Sequence, residues 1–362
     1  MKKTDFDKFR IGTIFNECVV SAAPIIQAQE IIIDYPIRLE AMALDPSQIA
    51  NNDNLVYRAG QIDVTVPLFK RITVKISNDN NIAITSSILR PTLVRHAAKL
   101  MQKALNLSDG LIIDVVDTVN LRHCGLGSSS ATIAGVACAI NEIYGNPIHP
   151  QDLVKYLAQN HGEEIDNDMD HLMPVQCIGG SAVCGNFEGG LIVLAGEATP
   201  IAQMKIGREY SVVIGVPNDF EHPDAGQLMQ AEIDNMHGFE RTGVQYGNEI
   251  AYRLVHQVLP ELREGKLNAV GDLIFDYRWN MGSIKNCSFA FPRTLEIAEQ
   301  LRSTYHMGSG EILALSSVGP GFFAVTKEPD RLVAKFKANN MAVIVTTVHN
   351  GKYVVIKLDA KS

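Results

Sequence analysis

Residues 123–130 read His-Cys-Gly-Leu-Gly-Ser-Ser-Ser and open into Ala-Thr-Ile-Ala-Gly-Val-Ala-Cys-Ala-Ile-Asn. Gly125 and Gly127 lack a Cβ, so the chain can turn sharply there and approach a ligand closely. Ser128, Ser129 and Ser130 put hydroxyls where a helix leaves its first amides unpaired. The small apolar run from Ala131 to Tyr144 reads as a buried helix. A glycine turn feeding such a helix is a phosphate cradle, with amides and dipole aimed at the anion. A plain serine cap explains the same residues, but three serines before a buried helix favour the anion site. The phosphate-binding candidates are therefore Gly125, Leu126, Gly127, Ser128, Ser129 and Ser130, with positive charge from Arg122 and His123 beside them.

Four further segments carry usable chemistry. Glu163, Glu164, Asp166, Asn167, Asp168, Asp170 and His171 lie within one short run. Hard oxygens at that density suit Mg²⁺, and one carboxylate there can serve as a general base, although a solvated acidic loop is the commoner fate. Gly179 to Gly190 is glycine-rich with Ser181, Asn186 and Glu188 interspersed, which reads as paired strands forming a ligand wall. Leu315 to Phe323 is a second small-residue loop, in which Ser317 and Gly319 would close over an anion held by the first. Arg278, Trp279 and Lys285 offer two cations near the single tryptophan, in a segment that an amphipathic helix end also explains.

Composition narrows the classes. At 362 residues the chain has room for two domains or one large one, and 46% hydrophobic with 20% charged residues describes a globular protein. The net charge of −8 argues against nucleic acid as a partner, so an anionic ligand must be held by local donors. Six cysteines are scattered without a Cys-x-x-Cys pair, as in reduced cytosolic proteins. No stretch has the length to cross a bilayer, so no membrane is expected and cytoplasm is the default.

The elements that must position these residues follow from the patterning. Strands are expected between Tyr35 and Ile84, with Val64 to Phe69 and Arg71 to Ile76 followed by the turn Asn78-Asp79-Asn80-Asn81. A helix from Thr92 to Ala104 follows Pro91, a strand covers Leu111 to Val116, and another helix covers Pro150 to Gln159. The second half predicts a strand at Tyr210 to Val216. Helices are expected at Ala225 to Met236, Gly247 to Gly265, Leu267 to Phe275 and Thr294 to Thr304. Closing strands lie near Ile312 to Leu315, Phe322 to Thr326, Met341 to Val348 and Tyr353 to Lys357. Strands segregated from helices in this way indicate an α+β fold rather than a parallel doubly wound sheet.

The Gly-Leu-Gly-Ser-Ser loop, the acidic run and the later Ser-Ser-Val-Gly-Pro-Gly loop, in that order, resemble the GHMP small-molecule kinase superfamily. The resemblance implies a ribosomal-S5-like N-terminal domain and a ferredoxin-like C-terminal domain. It places an extension at residues 1–34 and the two domains at 35–198 and 199–362. Within the superfamily, several runs are similar to the β-ribofuranosylaminobenzene 5′-phosphate synthase branch. They are His123, Tyr35-Pro36-Ile37-Arg38-Leu39, Gly180-Ser181-Ala182-Val183-Cys184, Val258-Leu259-Pro260, Trp279-Asn280-Met281-Gly282 and Ser316-Ser317-Val318-Gly319-Pro320. Glu40 departs from that branch, and Ser129-Ser130 and the acidic run are more kinase-like.

That resemblance implies an enzyme: a transferase joining C1 of phosphoribosyl pyrophosphate to an aromatic acid with loss of pyrophosphate. The alternatives are an ATP- and Mg²⁺-dependent kinase of a small molecule, or a non-catalytic ligand-binding protein of the same fold. Asp170, Asp166 and His123 are the expected catalytic residues, and Ser128 with Glu164 the expected metal ligands. Arg38, Ser181, Glu188, Arg278 and Lys285 are expected at the substrate, which is a small molecule. Superfamily members often form homodimers.

Overall fold

The computed structural model describes residues 8–47, 59–85, 88–118, 123–174, 177–221, 223 and 225–360. Arg122 lies outside them. The first half contains β1 (Phe9–Arg10), β2 (Ala28–Ala43), β3 (Gln61–Ser77), β4 (Ile82–Ile84), α1 (Pro91–Leu105) and β5 (Gly110–Asp117). It continues with α2 (Ser128–Ile143), α3 (Pro150–Gln159), β6 (Gly162–Ile165), β7 (Asp168–Pro174), α4 (Gly180–Asn186), β8 (Leu191–Ala195) and β9 (Thr199–Met204). The second half contains β10 (Ser211–Pro217), α5 (Ala225–Arg253), α6 (Leu259–Arg263), α7 (Asn268–Phe275), α8 (Ser283–Cys287) and α9 (Thr294–Arg302). It ends with β11 (Ile312–Leu315), β12 (Phe322–Thr326), α10 (Pro329–Ala338), β13 (Met341–Thr346) and β14 (Val354–Ala360).

In β2, Ile31, Ile33, Tyr35, Ile37 and Leu39 are buried at every second position, the period of a strand with one face on the core. β3 is the spine of the first sheet. Its first residues pair with β8, its last with β5, and its whole length runs antiparallel to β2. Every residue of α2 from Ala131 to Asn141 is buried, which the small side chains permit by letting helix and sheet approach. Tyr35 fastens α4 to this layer, its hydroxyl donating to Ser181 O at 2.8 Å.

The second sheet has the order β11-β12-β10-β13, antiparallel throughout. Strand, helices, two strands, helix and strand in that sequence form a ferredoxin-like unit. The fold is therefore α+β, with the acidic run folded into a separate small sheet of order β1-β7-β6. No helix among the described residues is long and apolar enough to cross a membrane.

Four expectations need correction. Residues 180–186, expected as strand, form the buried helix α4, because Gly-Ser-Ala-Val-Cys-Gly is small enough to pack as a helix beneath Tyr35. The two helices expected across residues 225–265 form one continuous run through Arg253. Gly238 and Gly243 signal a break costing roughly 1 kcal/mol each, yet Phe239 and Thr242 between them are buried and hold the helix together. β14 leaves the second half and adds to the edge of the first sheet against β2. β2 itself runs unbroken through the boundary expected at residue 34.

Candidate active site

The glycine–serine loop bends by left-handed residues, with φ of +52° at His123, +80° at Gly125 and +65° at Gly127. Gly127 caps α2, and a Cβ there would stand 2.6 Å from Ser181 Oγ. A Cβ on Gly125 would stand 2.1 Å from Ser316 O. Both positions therefore need glycine for conformation and for room. The first intrahelical bond runs from Ala131 N to Gly127 O at 2.9 Å, so the amides of residues 128–130 precede the helical ladder. Together with the helix dipole, they make the amino end of α2 a site for an anion.

The three serines have separate partners. Ser130 Oγ donates to Ser181 Oγ at 2.7 Å, tying the loop to α4. Ser129 Oγ donates to Glu163 Oε1 at 2.9 Å. Arg90, buried directly before α1, donates through Nη1 to both Ser129 Oγ and Glu163 Oε1. Burial alone would push the Glu163 carboxyl up, but Arg90 and the Ser129 hydroxyl outweigh it and hold the group below its usual range. His161 lines the same cleft, and burial pushes its imidazole down to about 4, so it is neutral at pH 7.

The opposite wall is built on a bulge in β2. Between Glu40 and Met42 the register with β3 slips, leaving Ala41 outside the ladder. The freed carbonyls turn towards the second half of the chain. Arg278, only 2% exposed, donates to Ala41 O at 2.6 Å, Glu40 O at 3.2 Å, Ser317 O at 3.0 Å and Ser283 Oγ at 3.1 Å. Ser317 N donates to Glu40 O at 3.0 Å, and Ser316 Oγ to Gly125 O at 2.8 Å. The loop at 316–319 is thus laced to the glycine loop and faces it across the cleft.

Beneath them lie three charged residues in contact. Arg38 pairs with Glu40 at 3.2 Å and approaches the wholly buried Asp63 at 3.9 Å, while Gln61 Nε2 donates to Asp63 Oδ2 at 2.6 Å. Burial pushes Asp63 up to about 7, overriding Arg38 and aided by Glu40. Its folded pKa is thus raised from the ordinary 3.8, so its contribution to stability is complete below about pH 4 and is lost as pH rises through about 7. Asp63→Asn should flatten the fall in stability over that window, measured as urea midpoints at pH 5 and pH 8. An unchanged pH 5-to-8 difference would count against it.

The cleft brings together His123, the stretch from Gly125 to Ser130, Arg38, Ser181, Arg278, Ser317 and Gly319. Other expected site residues fall elsewhere. The acidic run is a β-hairpin whose turn, at Asn167 with φ +64°, exposes Asp166 to solvent. Asp170 is also exposed on β7, so neither aspartate lines the cleft. Glu164, beside Glu163 in the strand, does not line it either; alternation points consecutive residues to opposite faces, and Glu163 takes the place given to Glu164. Ser128 lines the cleft, but Ser129 is the serine that meets the carboxylate. Glu188 is 59% exposed and pairs with Lys205, and Lys285 is exposed in the middle of α8. Arg278 lines the cleft with its donors committed to the protein, so it serves the wall and leaves no arm for a substrate carboxylate.

Sequence reading missed Arg90, His161, Asp63, Gln61 and Glu232. Asp63 had a signal: a charge inside the apolar run Gln-Ile-Asp-Val-Thr-Val. Glu232 lines the cleft from α5, and burial with the nearby charge of Glu40 pushes it up to about 7.

Residues 92–180, from α1 through the glycine loop to the start of α4, match the family model of the GHMP kinases N terminal domain. The fold is that of the GHMP kinases. Homoserine kinase from Methanococcus vannielii is 26% identical over 264 residues, covering 71% of this chain and 76% of the relative. The crystal structure of homoserine kinase from Cytophaga hutchinsonii aligns with a TM-score of 0.61 at 15% identity, covering 91% of this chain and 98% of that one. Mevalonate pyrophosphate decarboxylase from Streptococcus pyogenes aligns with a TM-score of 0.63 at 14% identity, covering 90% and 98%. Similarity over most of the chain to a kinase overturns the expected transferase drawing on phosphoribosyl pyrophosphate. The runs that suggested the synthase branch are short, and those at residues 258–260, 279–282 and 316–320 lie outside the matched segment.

Proposed function

We propose that the protein is an ATP- and Mg²⁺-dependent kinase that phosphorylates a hydroxyl of a small molecule. The observation that carries this reading is the meeting of Ser129 and Glu163 at the amino end of α2. A helix end with free amides suits the β- and γ-phosphates of a nucleotide. Mg²⁺ is held in such sites by one or two oxygen side chains plus substrate phosphates. The Ser129 hydroxyl and the second carboxylate oxygen of Glu163 fit that requirement, because Oε1 already accepts from Ser129, Arg90 and the Glu164 amide. Among the described residues no group of three or more His, Cys, Asp or Glu could hold a metal without the nucleotide. The bound ion would neutralise charge on the phosphates.

In the reaction the acceptor oxygen bonds to the γ-phosphorus as the bond to the β,γ-bridging oxygen breaks. ADP keeps that electron pair, and the hydroxyl proton is lost to water. The loop amides and Ser128 hold the phosphates, Ser181 braces the loop, and Arg38 faces the acceptor from below. Catalysis here is mostly positioning and charge stabilisation. The similarity to homoserine kinases makes homoserine the first acceptor to try.

The test is ADP formation with MgATP and a panel of small alcohols, homoserine included, beside calorimetric titration with nucleotide. Acceptor-dependent ADP release supports the reading. Absence of any nucleotide binding sinks it, and nucleotide binding with no turnover on any acceptor would favour a ligand-binding protein.

A further inference from the structure

Arg90 stands two residues before the segment that the family model matches, so the domain pattern does not account for it. Pro91 begins α1, and the residue before a proline is restricted away from the helical region; Arg90 stands at φ −136° and ψ 63°. Its side chain is 4% exposed, and a buried guanidinium is costly unless its donors are used. One arm is used: Nη1 donates to Ser129 Oγ and, at 3.3 Å, to Glu163 Oε1. Nε lies 4.0 Å from Glu164 Oε2. Nη2 has no hydrogen-bond partner among the described residues, and Arg90 lines the cleft beside Ser128 and His123. A guanidinium is a rigid planar fork, so fixing one arm on the protein aims the other.

We infer that Arg90 is a catalytic residue whose Nη2 donates to the terminal phosphate as it is transferred. The inference rests on the phosphoryl-transfer reading and adds a fixed protein cation to it. Charge spreads over the γ-phosphoryl oxygens in the transition state, and a preorganised donor helps most when aimed at that developing charge. Glu163 and Ser129 hold the guanidinium still, so it needs no reorganisation during the step. A purely structural Arg90 would only neutralise Glu163, and then its loss would affect stability and ground-state binding alike.

The experiment compares wild type, Arg90→Met and Arg90→Lys. Turnover with MgATP is measured beside the calorimetric affinity for β,γ-methylene ATP with Mg²⁺, which binds without reacting. Arg90→Met is expected to lower kcat by about 100-fold or more and to weaken the analogue by less than about 10-fold. Arg90→Lys keeps the charge but not the fork, so it should recover analogue affinity while kcat stays low. Equal losses in kcat and affinity, or a folded Arg90→Met with kcat within about threefold of wild type, overturn the inference. Should Arg90→Met fail to fold, full turnover in Arg90→Lys overturns it equally. A wild type that binds no analogue sinks the phosphoryl-transfer reading itself, and the two failures are thereby told apart.

Discussion

Glu163→Gln is expected to cut turnover with MgATP about 100- to 1000-fold, while Glu164→Gln leaves it within about threefold. The two residues are neighbours in one acidic run, and composition cannot separate them. The strand can. Glu163 lines the cleft and takes the hydroxyl of Ser129 at 2.9 Å, whereas Glu164 is not part of the lining and comes no nearer Arg90 than 4.0 Å. Glutamine keeps the shape of Glu163 and can still accept from Ser129, but it removes the hard charged oxygen that a divalent ion requires. It also leaves Arg90 without its nearer carboxylate, so the melting temperature of Glu163→Gln should fall as well. The diagnostic reading is the Mg²⁺ concentration at half-maximal rate, which should rise in Glu163→Gln and in Ser129→Ala and stay put in Glu164→Gln. Equal behaviour of the two glutamate variants would return the metal assignment to the acidic run at large.

The contrast between these two glutamates marks how far the sequence could be read. The glycine–serine loop was legible because its chemistry is local: glycine conformation, serine hydroxyls and a buried helix all lie within twenty residues. In the second half β11 and β12 fall where the pattern put them, whereas the helix α10 between β12 and β13 was not expected from the pattern, and the ferredoxin-like order was implied only by the resemblance. What stayed hidden depends on partners distant in sequence. Arg90 finds Ser129 and Glu163 at separations of 39 and 73 residues, and nothing at Leu89-Arg90-Pro91 announces that meeting. The helix α4 stayed hidden because glycine and serine score as loop or bulge, and only packing under Tyr35 makes them helical. The acidic run misled because density of charge was taken for proximity to the phosphate. A hairpin splits such a run between faces, and its most acidic part, Asp166 to Asp170, is the turn and the solvent-facing start of β7. There Asp168 is spent on Lys8 and His171, which hold its carboxyl well below the usual range.

Arg278→Met should destabilise the fold by about 3–5 kcal/mol and weaken nucleotide binding at the same time. The side chain fills its space with methionine, so packing is nearly kept and the change isolates the donors. Those donors satisfy three backbone carbonyls and one hydroxyl, from Glu40, Ala41, Ser317 and Ser283. A buried acceptor left without a donor costs about 1–3 kcal/mol, and the bulge at Ala41 has no neighbouring strand to take up its carbonyl. Lysine should not rescue the loss, because one ammonium cannot reach carbonyls lying on different sides of a planar fork. The effect on binding follows from connectivity: Ser317 and Glu40 hold the 316–319 loop against β2, and the neighbouring Ser316 Oγ donates from that loop to Gly125 O of the glycine loop. Had Arg278 met a substrate carboxylate instead, its removal would raise the acceptor KM and spare both the melting temperature and the nucleotide affinity. Thermal unfolding and nucleotide titration of Arg278→Met and Arg278→Lys therefore separate a rivet from a ligand. An unshifted melting temperature with a raised acceptor KM would hand this arginine back to the substrate.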